Sequence, residues 1–571
     1  MAGKAFSSAN VRIQTIVRRN GSSQQYMTLP GRLVEALGGA RELQLTLNSD
    51  GSILAVPAGT GGGVTEEAYL GAFWSAWGVL RPAFNTEDGW RNAGLAAVGD
   101  LLNTGRHTLT GALESIGLTA SDWNKFYRIY SKGRVDIGLC EKLLVDALLA
   151  ELPDDATVLL VIDDTQLRKS GRKIPFAKWL HDKLGPKFNV NLIWGIRFIQ
   201  ISLAVASPDG GCRCYPVAFF LCPPCNAGKK TRRGKGGGKN GGGGRKGGKN
   251  GGGGKAENQG GKAKTAASAC SSGAKEEKTV QSPAGLPAVA GERISKLVAY
   301  IREKHGRKVL VDGDGGYTNK VFCGCVASSG AEYLGRARKD ASLFARPPQE
   351  GARRGRIRYY GEALPTPWEI YRSVDVPFKD VAIELGGEGH EYRVKELVVR
   401  SKIFGNKDIR LIVVAPVYFV KGKAQGHREP LFLVTTDTES SVADLLKYYI
   451  WRWEIELNFK DEKSVLGISD PQNWKPEALE RRTPLLALTY SIFMLASRRH
   501  FGEGNPLTIQ PAWRKNKKSR RCPAAGYIGI FRKAAARIAC VMGNKSEFDG
   551  STPPIKNLFL FLEAVFEKTA V

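Results

Sequence analysis

The 571-residue sequence has no apolar stretch long enough to cross a bilayer. A spanning helix needs about 20 residues, and the longest run, 484–496, falls short and reads as a buried helix instead. The opening segment, MAGKAFSSANVRIQTIVRRN, lacks the apolar core of a secretory signal. Ten cysteines without such a signal point to reduced thiols in a cytoplasm. The six histidines show no HxH or HxxxH spacing, which argues against a histidine-based metal site. Glycine is abundant, but no run has the GxxxxGK[ST] form of a phosphate-binding loop. Acidic residues are in deficit: 55 Asp and Glu face 84 Lys and Arg, a formal charge of +29. Such an excess attracts polyanions rather than specifying a fold, and the usual polyanion is nucleic acid.

The order of patterns along the chain suggests several parts. Residues 1–60 form a small β-rich unit, with hairpin dipeptides at Asn20-Gly21 and Asp50-Gly51 and a brief helix after Pro30. From 65 to 152 the pattern is helical, and 106–116 with 121–130 could make a helix-turn-helix-like pair. At 158 the period changes. VLLVID is an apolar strand ending in acids, and 191–206 and 215–222 supply two more strands. Residues 226–279 are a Gly/Lys-rich insertion, with twelve Lys and Arg against one Glu up to residue 264. Nothing in it can be buried, so it is expected to stay disordered. A helix at 292–305 and a strand at 308–311 follow, then a β-rich stretch at 331–436, helices at about 442–465 and 476–500, and a basic tail at 504–571 that contains WRKNKKSRR. The fold class expected is α/β, its core built from 155–225, 280–330 and 437–503.

Two acidic sites share one context, each where a buried strand stops: LLVIDDT at 159–165 and VLVDGDGGY at 309–317. Strand ends at a sheet edge are where ligands gain access in α/β folds, and carboxylates there suit a hard cation. Each site offers two acids, Asp163 or Asp164 and Asp312 or Asp314. Either could instead close a turn after its strand. A third site lies in YYIWRWEIELNFKDEK. On one continuous helix Tyr449, Arg452, Glu456 and Lys463 fall within an arc of about 60°, at 100° per residue. A solvated Arg452–Glu456 pair would account for the charges, but not for the aromatic or the reach to Lys463.

The spacing Tyr449-x2-Arg452-x3-Glu456-x6-Lys463 resembles the YREK signature of group-four insertion-sequence transposases. The resemblance is closer to a subgroup marked by IDDT (162–165), GRKIP (171–175), DGGYTN (314–319), RKDA (338–341) and WRWEIE (451–456), and it spans about 70–535. It implies a DDE transposase with an RNase H-like core interrupted by a β-rich insertion. The metal ligands and catalytic residues it implies are Asp164, Asp314 and Glu456, with Asp163 and Asp312 as the alternatives. It implies two Mg²⁺ (or Mn²⁺) ions per site, DNA contacts through Tyr449, Arg452 and Lys463, and an aromatic such as Trp368 or Trp453 for a flipped base. The partners implied are the double-stranded transposon ends and target DNA, bound by a homodimer, with no membrane and a prokaryotic, nucleoid-associated cytoplasmic setting. The first 50 residues or so resemble the swapped-hairpin AbrB-type DNA-binding domain. Two other outcomes are a domesticated DDE nuclease and a non-catalytic DNA-binding regulator.

Cys212, Cys214, Cys222 and Cys225 read CxC-x7-CxxC, which could make a zinc site, although buried thiols account for them equally well. Cys323 and Cys325 fall in the helix expected after Asp314 and read as packing residues.

Overall fold

In this computed structural model, the residues described are 12–17, 23–28, 42–47, 53–58, 66–118, 122–182, 185, 188–223, 285–347, 358–417, 419–421, 424–426, 429–502, 506 and 521–543. The helix expected after Pro30, Cys225, the whole 226–279 insertion and nearly all of the basic cluster at 513–521 lie outside them. The chain divides into two compact units, 1–222 with 286–571 and, separately, 223–285. The elements below belong to the first.

Near the start, β1 (Arg12–Val17) pairs antiparallel with β2 (Ser23–Thr28), and β3 (Glu42–Leu47) with β4 (Ile53–Ala58). Five helices follow: α1 (Glu66–Gly78), α2 (Glu87–Leu102), α3 (Leu109–Ser115), α4 (Asn124–Ser131) and α5 (Ile137–Leu149). Their starts are fixed locally. The Thr86, Thr108 and Asp136 side chains accept from the backbone N–H of Gly89, Gly111 and Leu139, satisfying donors that a helix start leaves open. Trp74, Trp77, Phe73 and Leu70 of α1 are buried.

The centre is a mixed twelve-stranded sheet. β5 (Val158–Arg168), β6 (Lys178–His181), β7 (Leu192–Ala206) and β8 (Cys212–Leu221) come first in sequence, and β7 lies between β5 and both β6 and β8. After the second unit, α6 (Leu286–His305) leads into β9 (Val309–Gly313), which pairs parallel with β5. α7 (Lys320–Ser328) then crosses to β10 (Glu332–Arg336), parallel to β9. The start of α6 returns to the end of β8, where the Arg293 guanidinium lies 5.1 Å from the Phe220 ring centre. This is an α/β architecture with a large mixed sheet and helices, consistent with an α/β nuclease-like core.

Strands from the chain after β10 join this sheet. β11 (Leu343–Phe344), β12 (Ala363–Leu364), α8 (Pro367–Arg372), β13 (Lys379–Leu385), β14 (Glu388–Arg400), β15 (Asp408–Val414), β16 (Phe419–Lys421), β17 (Ala424–Gly426) and β18 (Leu431–Thr435) follow in the chain. β18 pairs with β10, and β15, β14 and β13 follow outward, so strands 379–435 prolong the nuclease-like sheet. Ile409, Leu411, Val413, Phe432 and Val434 cover one face of this extension with a small core of their own.

The helix expected over 442–465 is two helices, α9 (Val442–Trp451) and α10 (Glu454–Ser464). Across the step the backbone bonds tighten: Trp453 N–H donates to Ile450, Ile455 to Arg452 and Glu456 to Trp453, each over three residues. No Gly or Pro breaks the run. Trp451 is held sideways, its indole N–H donating to the Gly210 carbonyl at 3.1 Å. α11 (Pro476–Phe501) is buried without interruption from Arg482 to Ser497 and runs through the middle of the molecule, where the Tyr69 and Ser497 hydroxyls bond at 2.7 Å. α12 (Ala524–Gly543) closes the described chain. No helix among the described residues is long and apolar enough to cross a membrane.

Candidate active site

The strands that carry the acids are adjacent and parallel. Val161 stands beside Asp312, and Ile162 beside Gly313. One step further along both chains come Asp163 and Asp314. Side chains alternate along a strand, and paired residues share a face. Asp163 therefore lies on the face of Val161 and Asp312. On its other side it stands opposite Gln200, and this is the face that α10 covers. Ser202 Oγ lies 3.4 Å from Asn458 Oδ1, and the Gln200 amide donates to both oxygens of the fully buried Glu462 at 2.9 and 3.1 Å.

Asp164 lies on the opposite face, in line with Ile199 and, two residues on, with Gln166 beside Arg197. There its Oδ2 is 3.4 Å from Arg197 Nε. Tyr317, which packs under Gly313, is on that side as well. A Cβ on residue 313 would come within 2.9 Å of the Tyr317 Cβ, so glycine is the residue that fits. The backbone N–H of Asp164 donates to Asp163 Oδ1 at 2.7 Å.

Electrostatics identifies the same group. Burial, with smaller contributions from Asp164 and Asp314, pushes the Asp163 carboxyl up to about 6, while the Asp164 N–H and Arg452 act against the rise. Burial raises Asp312 well above the usual carboxylate range, eased by Arg452 and reinforced by Asp314. Glu456 is raised by burial and by Asp314, against Arg452. Arg452 is itself mostly buried. Its desolvation is outweighed by Asp312, Tyr449, Asp314 and Asp163, which hold its proton more tightly. Four carboxylates are thus gathered around one guanidinium, with Asp314 exposed at the rim. Arg452 lies 4.0 Å from Glu456 and 5.4 Å from the Tyr449 ring centre, so these three stay together despite the helix step. Lys463 is farther along α10, within electrostatic reach of Arg168 at the end of β5 and Asp182 just after β6.

Among the described residues no three His, Cys, Asp or Glu side chains converge closely enough to hold a metal ion. The chemistry of the donors still suits one. All are carboxylates, and both oxygens of Asp312 are buried without a hydrogen-bond partner. Such a set suits a hard divalent cation, which takes oxygen ligands and keeps its waters. Cys212, Cys214 and Cys222 are buried and form no disulfide among the described residues. Trp453 is 58% exposed and Trp368 39%, so both aromatics named for base contacts are at the surface.

Sequence reasoning missed the buried network of Gln200, Ser202, Asn458 and Glu462. The signal was in plain view: FIQISLAVA sets Gln and Ser two residues apart in an otherwise apolar strand, so both polar groups face one side.

Comparison with known families agrees with this geometry. Residues 79–216 match a family model described as DDE superfamily endonuclease, and residues 292–492 match one described as Transposase DDE domain. The first covers β5 with Asp163 and Asp164, and the second covers β9 through α11 with Asp312, Asp314 and Glu456. The fold and the matches together suggest a transposase-type nuclease, a class of nucleic-acid-cutting enzyme. They support a DDE transposase superfamily for the chain. No curated protein matches it.

Proposed function

We propose that the protein is a DNA transposase that cuts at transposon ends and joins the freed 3′-OH to target DNA. Asp163, Asp314 and Glu456 are its metal-holding carboxylates. The observation that supports this reading is the strand register, Val161 beside Asp312 and Ile162 beside Gly313, with Asp163 and Asp314 next along each chain and Glu456 and Arg452 on the α10 side. It favours Asp163 over the neighbouring Asp164, which faces Arg197 across the sheet.

Mg²⁺ or Mn²⁺ held there would shield charge on the scissile phosphate and lower the pKa of bound water. The protein side of the chemistry concerns charge and position. With no cation bound, Arg452 offsets the mutual repulsion of the carboxylates, because an opposite charge close by favours their ionised form. Tyr449 and Lys463 flank this group along the helix pair and suit a sugar-phosphate strand, Lys463 as a point charge and Tyr449 by stacking or hydrogen bonding. In the first step a water oxygen bonds to phosphorus and the 3′ oxygen of the transposon end leaves. In the second, that 3′-OH attacks a target phosphodiester and the target's own 3′ oxygen leaves, so the number of phosphodiester bonds is conserved. Two DNA ends are paired by two copies of the chain.

The test is cleavage of a duplex carrying the element's ends, with Mg²⁺. The parent yields a nick with a free 3′-OH, and Glu456→Gln slows it about a hundredfold or more. Equal rates for parent and variant would remove Glu456 from the site.

A further inference from the structure

A groove of about 650 Å³ opens between α3 and α4 on one side and the chain that follows α10 on the other. Tyr127, Arg128 and Lys132 line one wall, and Asn473, Trp474 and Lys475 the other, and no Asp or Glu is among the lining residues. Trp474 is 72% exposed and Tyr127 45%, whereas the tryptophans of α1 are buried. Among the described residues the Asn473 amide nitrogen has no partner, though it is buried. Trp474 and Tyr127 expose two aromatic rings in one groove, and Arg128, Lys132 and Lys475, with Arg482 paired to the buried Asp100, set up a positive field there. A free phosphate would account for the cations but not the indole. An apolar ligand would account for the indole but not the cations. A nucleic-acid strand presents both, phosphates along the backbone and a π-face on every base.

The groove is tied to the strand of the candidate active site. Lys169 Nζ donates to the carbonyls of Ser469 and Pro471, both at 2.8 Å, and Pro471 lines the groove. The Gln472 side chain accepts from the Gly171 N–H at 3.3 Å, and Asp470 from the His107 N–H at 3.0 Å. The 469–475 segment is thus pinned between the exit of β5 and the helices. From Asp163 to Lys169 the chain advances six extended steps, about 20 Å.

We infer that this groove is a second DNA-strand site. It takes the phosphates of one strand on Arg128, Lys132 and Lys475 and stacks an unpaired base on Trp474. This rests on the polynucleotide reading above, but it concerns binding alone and can be tested without a metal.

The full-length protein is mixed with a single-stranded dT 12-mer carrying 5-iodouracil, in the absence of Mg²⁺, and irradiated. The crosslink is expected on Trp474, located by peptide mass spectrometry. Trp474→Ala, an exposed site whose loss leaves the core intact, weakens binding about tenfold, in the range of one stacked base. The double variant Arg128→Ala/Lys132→Ala lowers the slope of log affinity against log salt by about 1.4, the share of two phosphates on a single strand. Crosslinks confined to other residues, or a Trp474→Ala protein that binds as the parent does, would overturn the site. Cleavage slowed by Glu456→Gln and metal-free crosslinking to Trp474 are separate readouts, so failure of the catalytic reading and failure of this one are told apart.

Discussion

Asp163 and Asp164 are neighbours in the chain that look out from opposite faces of the sheet. The first stands opposite Gln200 and under α10, and the second stands opposite Ile199 with Arg197 3.4 Å from its carboxylate. One residue of register separates a carboxylate grouped with Asp314 from one paired to an arginine.

The two therefore differ in what they do when neutralised. Asp163→Asn is expected to lower Mg²⁺-dependent DNA cleavage by about a thousandfold, since several kcal/mol of charge stabilisation depend on the metal-holding set. Asp164→Asn is expected to stay within about tenfold of the parent. Side-by-side nicking rates decide the matter, and a reversed order would return the role to Asp164.

Lys169 makes stability depend on alkaline pH. Burial pushes its amine down from 10.5 to about 8, against the favourable charge of Asp470. The folded state therefore holds the proton less tightly than the unfolded one. Between about 8 and 10.5 the unfolded chain binds more protons, so stability rises with pH across that window, and the gain is gone again once pH falls to 8. The size is roughly 3 kcal/mol by linkage. Melting temperature should climb from pH 8 to 10 in the parent and stay flatter in Lys169→Met. The same slope in both proteins would rule out this assignment.

Asp100 and Arg482 form a buried ion pair, with one guanidinium nitrogen 2.6 Å from each carboxylate oxygen. It joins α2 to α11 across 382 residues of sequence. Removing one partner strands a charge in the core. Arg482→Met should cost about 3–5 kcal/mol in urea denaturation, and adding Asp100→Leu should recover much of that loss. A double variant no more stable than the single one would show that the pair itself, rather than the stranded charge, carries the effect.

Much of this was legible from the sequence because the signals were local. VLLVIDDT and VLVDGDGG announce buried strands that stop at acids, and both strands form where expected. The face each acid takes was not legible. It follows from the pairing of β5 with β7 and β9, contacts that run over roughly 40 to 150 residues, and a shift of one position exchanges the two aspartates. The step between Trp451 and Glu454 was hidden for a related reason. Every residue in YYIWRWEIEL tolerates a helix, and the interruption coincides with Trp451 bonding to Gly210, a partner 241 residues away. The groove was equally invisible. Trp474 is far along the chain from Tyr127 and Arg128 and shares no periodicity that would link it to them.

The stretch 223–285 is spliced in between β8 and α6, where Arg293 lies over Phe220. The chain leaves β8 and resumes at α6, and the Phe220–Arg293 contact holds the two sides together. Closing a loop between neighbouring points costs only about 0.6 kcal/mol more for each doubling of its length. Length at this point of the chain is thermodynamically cheap, and the register that aligns the aspartates is set by β5, β7 and β9 instead.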